Sequence, residues 1–515
     1  MDILTVKWAK IIDQRKCIGC HACTIACKSE HDVPIGVTRT FVKQLQIGTY
    51  PSVQRHFQVT RCNQCENAPC VTACPTGAMF KREDGIVDFN RDTCIGCKAC
   101  IAACPYDAIY IDPDTHSAEK CNFCSHRIDV GLLPACVVVC PTQAILVGDI
   151  NDPKSQISDI LLNEKTEVRR PEKNTNPKLF YLGLDKEILK PSLFEESNIR
   201  GYMASNARKG YNTSNSEVHL ARDPKQSSAA AIIEYRSQSK PMWDWPISGY
   251  TWAKSLSTGT FIVAALSILM GKLDGSLRWD LYTGVISTIF LFITGFFLML
   301  DLSHPERFYL IFIKPQWNSW ITRGSFLIMF FGISLMLFMI FRVLDYPVMT
   351  LILRFITVIL GLLTSIYTAF LFGQAKGRDL WQNRLLPIHF LVEPIIAGCA
   401  ILVLLGWVIP IDSSEINWLR WVFIGSSVVN LTLILMDLVI SQKTDSAHNA
   451  IRYLIYGKWA KYYWGSIIFS LISIVLIIIS SGLSVLLLGA SIISLIGLFA
   501  YWHAFVGAGQ SMPQT

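Results

Sequence analysis

No apolar run long enough to cross a bilayer occurs before about residue 240, and beyond that point only one of the chain's 17 cysteines remains. These two complementary absences divide the 515 residues into unlike parts. Charge is scarce. Asp, Glu, Lys and Arg make up 17% of the chain, and the formal net charge of +7 sits in loops, with no basic stripe interleaved with aromatics. Nucleic acid is therefore excluded as a partner. There is neither a P-loop nor a glycine-rich dinucleotide fingerprint in a strand-to-helix setting, which leaves no site for a nucleotide. Residues 1–16 hold no long apolar core and no twin arginine, so no signal peptide is expected. The N-terminal part should then stay on the side where it is made, unless a signal-bearing partner carries it across. The hydrophobic fraction of 51% is thus an average over two solvents, water and lipid.

What the first part does contain is sixteen cysteines in four groups of four: Cys17, Cys20, Cys23, Cys27; Cys62, Cys65, Cys70, Cys74; Cys94, Cys97, Cys100, Cys104; and Cys121, Cys124, Cys136, Cys140. Proline follows the last cysteine of three groups, at Pro75, Pro105 and Pro141. The spacing is that of metal ligation by reduced thiolates rather than of disulfides. A cubane offers four iron corners, and a C-x-x-C-x-x-C turn reaches three of them with main-chain amides left pointing at the sulfides. The fourth corner needs a distant residue. In two-cluster ferredoxins the last cysteine of each run ligates the other cluster. Nested pairing of group one with four, and two with three, then gives four [4Fe-4S] sets. They are Cys17, Cys20, Cys23 with Cys140; Cys121, Cys124, Cys136 with Cys27; Cys62, Cys65, Cys70 with Cys104; and Cys94, Cys97, Cys100 with Cys74. Structural zinc could use any C-x-x-C pair, and Cys17 to His21 spells the C-x-x-C-H of c-type haem attachment. Four complete sets outweigh both readings, and clusters with no open iron site suit conduction rather than substrate chemistry.

The stretches VGDINDPKS at 147–155 and TNPKLFYL at 175–182 continue the globular part. On the four cysteine groups and GDINDP, residues 10 to about 185 resemble the four-cluster iron-sulfur subunits of the dimethyl sulfoxide reductase superfamily, polysulfide reductase and formate dehydrogenase relatives included. The resemblance implies an α+β ferredoxin-like domain of two pseudo-symmetric dicluster modules. It also implies a molybdopterin-containing catalytic subunit as partner, docked where the line of clusters begins. We place this domain at 1–189. A linker rich in Ser, Asn, Lys and Ala follows at 190–242, with its basic stretch at 200–222 read as solvated loop, and a membrane domain at 243–515.

Eight apolar stretches are long enough for about 30 Å of hydrocarbon. They lie near 250–271, 279–301, 320–343, 347–373, 384–409, 417–440, 462–481 and 483–505. Trp243, Trp245, Trp252, Trp279, Trp317, Trp320, Trp407, Trp418 and Trp421 fall near their ends, as an aromatic belt should. The expected whole is an all-α, eight-helix transmembrane domain in the inner membrane. An even number of crossings puts both ends of that domain on one side. Loops on that side carry Arg307, Lys314, Lys376, Arg378, Arg384, Lys443, Arg452, Lys458 and Lys461, against Lys272, Arg278, Arg342 and Arg420 opposite. The bias predicts a cytoplasmic ferredoxin side. Complexes of the resembling family that are exported with a twin-arginine partner face the periplasm instead.

Between the second and third helices, DLSHPERF at 301–308 and WNSWITRG at 317–324 resemble the NrfD-type membrane subunits of polysulfide and nitrite reductases. That resemblance implies eight helices reacting with quinol or quinone (menaquinone or ubiquinone) without haem; the anchor of dimethyl sulfoxide reductase is a distant relative. Quinone chemistry couples two electrons to two protons and needs headgroup partners and a proton route. Ionisable residues inside apolar helices are the candidates, because burying them is costly. They are His389 and Glu393, one turn apart on one face, with Asp301 and Asp437. Asp301 could instead pair with Arg323 or Arg307 as a lock. His304 and Arg307 flank the interface and could touch a headgroup. The resembling family uses its first helix, which adds Tyr250, Trp252 and Lys254. Cys399 reads as packing. The leading function is electron transfer between the quinone pool and a catalytic subunit through four clusters. A redox-driven proton-translocating module is one alternative, and a haem b anchor on His389 and His503 is another.

Overall fold

The computed structural model describes residues 6–47, 51–52, 54–183, 189, 232–233, 242–440, 444–480 and 482–512. Apart from Ile232, Ile233 and Met242, the expected linker lies outside the described residues, as does Lys443. The chain forms two compact units, one up to Lys240 and one over Pro241–Met512.

The first unit is α+β. Its main sheet has the order β8-β1-β10-β9, from β1 (Trp8–Asp13), β8 (Ile145–Asp149), β9 (Thr166–Glu167) and β10 (Leu179–Leu182). A three-stranded sheet joins β2 (Thr40–Ile47), β3 (Gln54–Arg61) and β11 (Ile232–Ile233). Two short hairpins, β4 (Met79–Lys81) with β5 (Val87–Phe89) and β6 (Ile109–Ile111) with β7 (Ala118–Lys120), complete it. Short helices α1 (Ala22–Glu30), α2 (Pro69–Ala73), α3 (Ala99–Ala103), α4 (Ser125–Ile128) and α5 (Ala135–Val138) carry cysteines or stand next to them, and α6 (Gln156–Asn163) covers the main sheet. The period of two along β1 sends Ala9 and Ile11 under Ile157 of α6, and Ile12 to the opposite face among Cys23, Cys136, Val59 and Tyr181.

These strands clamp the cysteine groups together. Antiparallel pairing of β1 with β8 sets Ile12 opposite Ile145, so the segment entering group one runs beside the segment leaving group four. Hairpin β4–β5 links the end of group two to the start of group three, and β6–β7 links group three to group four. Groups one and three share the string CIGC-x-AC. In both, a residue in the left-handed region, His21 or Lys98 at φ 61°, caps the helix that follows.

The second unit is helical. Its eight helices long and apolar enough to cross a membrane are α7 (Trp245–Leu269), α8 (Leu277–Asp301), α10 (Trp320–Val343), α11 (Pro347–Gln374), α12 (Leu386–Leu405), α13 (Ser413–Ile440), α15 (Ala460–Ile479) and α16 (Val485–Gln510). Two shorter helices, α9 (Leu310–Ile313) and the amphipathic α14 (Asp445–Tyr456), lie in the loops. Local chemistry moves the ends from their sequence-based positions. Helix α7 starts five residues early because Asp244 accepts the Trp245 amide and Pro246 fits the first turn. Helix α16 runs on to Gln510 because Gly507 and Gly509 leave room for the rings of Trp459 and Trp381. Trp243 and Trp279 leave the expected belt and are buried, Trp243 stacked on Trp381 with ring centroids 5.2 Å apart.

Helices α7 and α12 are the most enclosed of the eight. They cross at Gly259 and Gly398, so closely that a Cβ on Gly259 would stand 1.9 Å from the Pro394 carbonyl oxygen and one on Gly398 2.2 Å from that of Gly259. Only glycine permits this approach, and small residues are what bring membrane helices together. Pro394 has no amide, which removes one helical hydrogen bond from the turn carrying Phe390.

Candidate functional site

The first unit brings its sixteen cysteines together in four places, and no described cysteine is in a disulfide. Cys17 interacts with Cys20 and Cys140, and Cys23 with Cys17 and Cys140, while Cys27 interacts with Cys121, Cys124 and Cys136. Cys104 meets Cys62, Cys65 and Cys70, while Cys74 meets Cys94, Cys97 and Cys100. The last four line a small cavity of about 20 Å³. Main-chain amides point at the sulfurs: Ala144 N lies 3.2 Å from Cys140 Sγ, Met79 N 3.4 Å from Cys74 Sγ and Ala118 N 3.4 Å from Cys94 Sγ.

This donor set fits iron-sulfur clusters. Among the described residues no group of three or more His, Cys, Asp or Glu side chains converges tightly enough for a single metal ion. Burial, followed by neighbouring thiols, pushes Cys27 up to about 12, and burial pushes Cys104 up to about 11. Crowded thiols of this kind become thiolates by binding a cationic iron centre. Cys136 departs from the pattern. Its burial acts upward, but Lys10 and Arg61 outweigh it and hold the thiol down at about 7. Sequence reading missed both cations. Their signal was a lysine in the apolar strand WAKIID and an arginine directly before Cys62.

In the membrane unit the sequence candidates fall into three places. The first is around Lys254, which is fully buried. Its Nζ donates to the Ser365 carbonyl at 2.9 Å and to Thr368 Oγ1, and lies 4.5 Å from the centroid of the Phe390 ring. Tyr250 OH is 2.7 Å from Thr368 Oγ1 and hydrogen-bonds Tyr367 OH. Trp252 faces elsewhere, donating to the Leu495 carbonyl between Phe290 and Phe499.

The second place holds His389, Glu393 and Asp437, all buried. His389 Nε2 stands 2.9 Å from Asp437 Oδ2, an ion-pair contact rather than a well-aligned hydrogen bond. Asp437 also accepts from Asn383 Nδ2 and from Tyr501 OH at 2.9 Å. Glu393 Oε2 accepts from Trp502 Nε1 at 2.5 Å, and Trp502 stacks on Phe390. Phe390, in contact with both Lys254 and Trp502, joins the two places into one buried polar zone across α7, α11, α12, α13 and α16. Its electrostatic reach runs from Lys254 through Glu393 to His389.

The third place is the end of α8. Asp301 is buried there, and beyond it His304 Nδ1 lies 2.9 Å and Arg307 Nε 3.8 Å from Glu306 Oε1. Arg323 donates to the Trp317 carbonyl at 2.6 Å. His503 packs against Trp459, Tyr462 and Phe499, whereas His389 stacks on Tyr501, so the two imidazoles of the haem alternative have different neighbours. Sequence reading also missed a buried triad: both Asp280 oxygens lie 2.7 Å from Arg354 Nη2, and one lies 2.7 Å from Arg342 Nε. Arg354 inside an apolar helix was its signal.

Comparison with known proteins agrees with both halves. A 4Fe-4S dicluster domain matches residues 53–150, and the family described as polysulphide reductase, NrfD, matches residues 235–514. The B subunit of tetrathionate reductase from Salmonella typhimurium is 45% identical over 189 residues, 36% of this chain and 76% of that protein. The B subunit of polysulfide reductase from Wolinella succinogenes is 49% identical over 180 residues, covering 34% and 93%. The thiosulfate reductase electron transfer subunit PhsB of Salmonella typhi is 45% identical over 159 residues, covering 30% and 83%. The chain therefore belongs to the polysulphide reductase NrfD family of multi-pass membrane proteins, with an iron-sulfur dicluster ferredoxin domain in the same polypeptide.

Proposed function

We propose that this protein carries electrons between the membrane quinone pool and a molybdopterin-containing catalytic subunit through four [4Fe-4S] clusters. The domains are those read from the sequence, at 1–189, 190–242 and 243–515, with the ferredoxin side in the cytoplasm. The observation that carries the reading is the grouping of sixteen cysteines into four nested sets, each drawn from two sequence groups. Those sets would hold the clusters, and each cluster, when bound, exchanges one electron at a time.

The quinone reacts in the membrane unit. Oxidation of a quinol releases two electrons and two protons, and the buried zone supplies groups to receive the protons. Glu393 Oε1 and His389 Nδ1 have no hydrogen-bond partner among the described residues, so each can accept a proton or a headgroup hydroxyl. Asp437, 2.9 Å from His389 Nε2, holds the imidazole in place. Lys254 and Tyr250 orient a headgroup carbonyl, and Asp301, His304 and Arg307 form the exit toward the loop. A second reading, in which the same unit also translocates protons, is favoured by the placement of the Asp280–Arg342–Arg354 triad on the opposite ends of the helices from this loop. Proton release by vesicles beyond two per quinol would establish it.

The test is anaerobic purification. About sixteen iron atoms per chain and rapid bleaching of the cluster absorbance on adding menaquinol support the proposal. A well-folded protein that holds zinc, or far less iron, overturns it.

A further inference from the structure

The walls around the four cysteine sets are not electrically alike. Lys10 and Arg61 are each only 2% exposed, and both belong to strands whose alternation presents them to the fourth group. In β1, Ala9 and Ile11 face α6, so Lys10 falls with Ile12 on the cysteine side, where its Nζ lies 3.9 Å from Cys136 Sγ. In β3, Phe57 and Val59 pack on that side, and Arg61 follows in step, its Nη1 2.9 Å from Cys136 Sγ. The Nε and Nη2 atoms of Arg61 are buried and have no hydrogen-bond partner among the described residues. Arg61 also lies within electrostatic reach of Cys23 and Cys121. Lys120, fully buried, acts likewise on Cys62, Cys65 and Cys70. The contrast is with the cavity of Cys74, Cys94, Cys97 and Cys100, where among the described residues the one lining cation is Lys98, which is partly exposed, so water screens it.

A buried guanidinium with two unspent donors is costly unless acceptors meet them, and cluster sulfides are acceptors. Cluster potential rises with nearby positive charge and with hydrogen bonds to sulfur. We propose that Arg61, seconded by Lys10, raises the potential of the cluster held by Cys27, Cys121, Cys124 and Cys136 above that of the cluster held by Cys74, Cys94, Cys97 and Cys100, so that an electron rests on the former in preference to the latter. Arg61 acts here as a positioning residue on the cluster's electrostatics, and the inference relies on the nested ligand sets proposed above.

The experiment is an anaerobic redox titration of the full chain followed by electron paramagnetic resonance, comparing the native protein with Arg61→Met, Arg61→Lys and Lys10→Met. Loss of one signal in Cys136→Ser assigns the cluster. That cluster should be reduced before the one held by Cys74, Cys94, Cys97 and Cys100 in the native protein. In Arg61→Met its reduced-to-oxidised ratio at a fixed potential should fall at least tenfold, a shift of about 59 mV for one electron. Lys10→Met should shift the same signal in the same direction by less, and Arg61→Lys should restore part of the loss. Four signals with unchanged potentials in both Arg61→Met and Lys10→Met overturn the proposal, as does an equal shift of all four. If Arg61→Met loses iron, Lys10→Met decides alone. Iron content and the number of signals test the ligand sets separately from the potentials.

Discussion

The crossing of α7 and α12 can be probed with a single methyl group. In Gly398→Ala the new Cβ would lie 2.2 Å from the Gly259 carbonyl oxygen. Both partners are backbone, so no flexible side chain can yield. A carbon normally approaches a carbonyl oxygen to about 3.3 Å, so the helices must part by about 1 Å. A gap of that size forfeits roughly a quarter to a half of the dispersion energy of the atoms lining it. The expected loss of stability is about 1–3 kcal/mol, partly offset by the better helix propensity of alanine, about 1 kcal/mol. The functional loss should be larger. Lys254 on α7 and Glu393 on α12 are held against Phe390 and Trp502 by this crossing, and a misplacement of about 1 Å can cost about 10²-fold in rate. The control is Gly295→Ala on α8, where nothing lies within 4 Å of the added carbon. Thermal unfolding in detergent and stopped-flow bleaching of the clusters by menaquinol compare the two. If Gly398→Ala melts and reacts like Gly295→Ala, the close crossing does not set the geometry of the buried zone and the reasoning fails.

Asp437→Asn and His389→Gln should slow bleaching by quinol about 10²–10⁴-fold while dithionite still reduces every cluster, and equal slowing by both reductants would remove these residues from the proton path. Cys27→Ser should erase the same resonance signal as Cys136→Ser and cost about four of sixteen iron atoms; loss instead of the signal belonging to the Cys17 set would break the nested pairing. Asp280→Ala strips the buried Arg354 of its carboxylate and should lower stability by about 3–5 kcal/mol, read from thermal unfolding. A loss near zero would mean that water already reaches Arg354.

How much of this was legible in the sequence follows from the kind of signal each feature leaves. Cysteine spacing marks an iron-sulfur domain and apolar length marks helices able to cross a membrane, so the two halves and the candidates His389, Glu393 and Asp437 could be read along the chain. Contacts between distant segments leave no such local trace. The α7–α12 crossing depends on Gly259 and Gly398, two small residues 139 positions apart that look like any others in an apolar helix. Trp252 was grouped with Tyr250 and Lys254 by sequence nearness, yet positions two apart on a helix face different ways, and its indole bonds Leu495 instead.

Lys10 and Arg61 were missed for a different reason. Lys10 was legible as a charge inside an apolar pattern, and Lys254 entered only through the resemblance, because a lone lysine in a strand or helix is usually read as a solvated side chain whose stem snorkels outward. Snorkelling requires a nearby edge, and these positions have none: Lys10 sits in the second of four strands with α6 behind it, and Lys254 in one of the two most enclosed helices. A buried lysine persists only where something repays its desolvation. In the first unit that something is thiolate sulfur. In the membrane it is the Ser365 carbonyl, Thr368 and the faces of the Tyr250, Tyr367 and Phe390 rings.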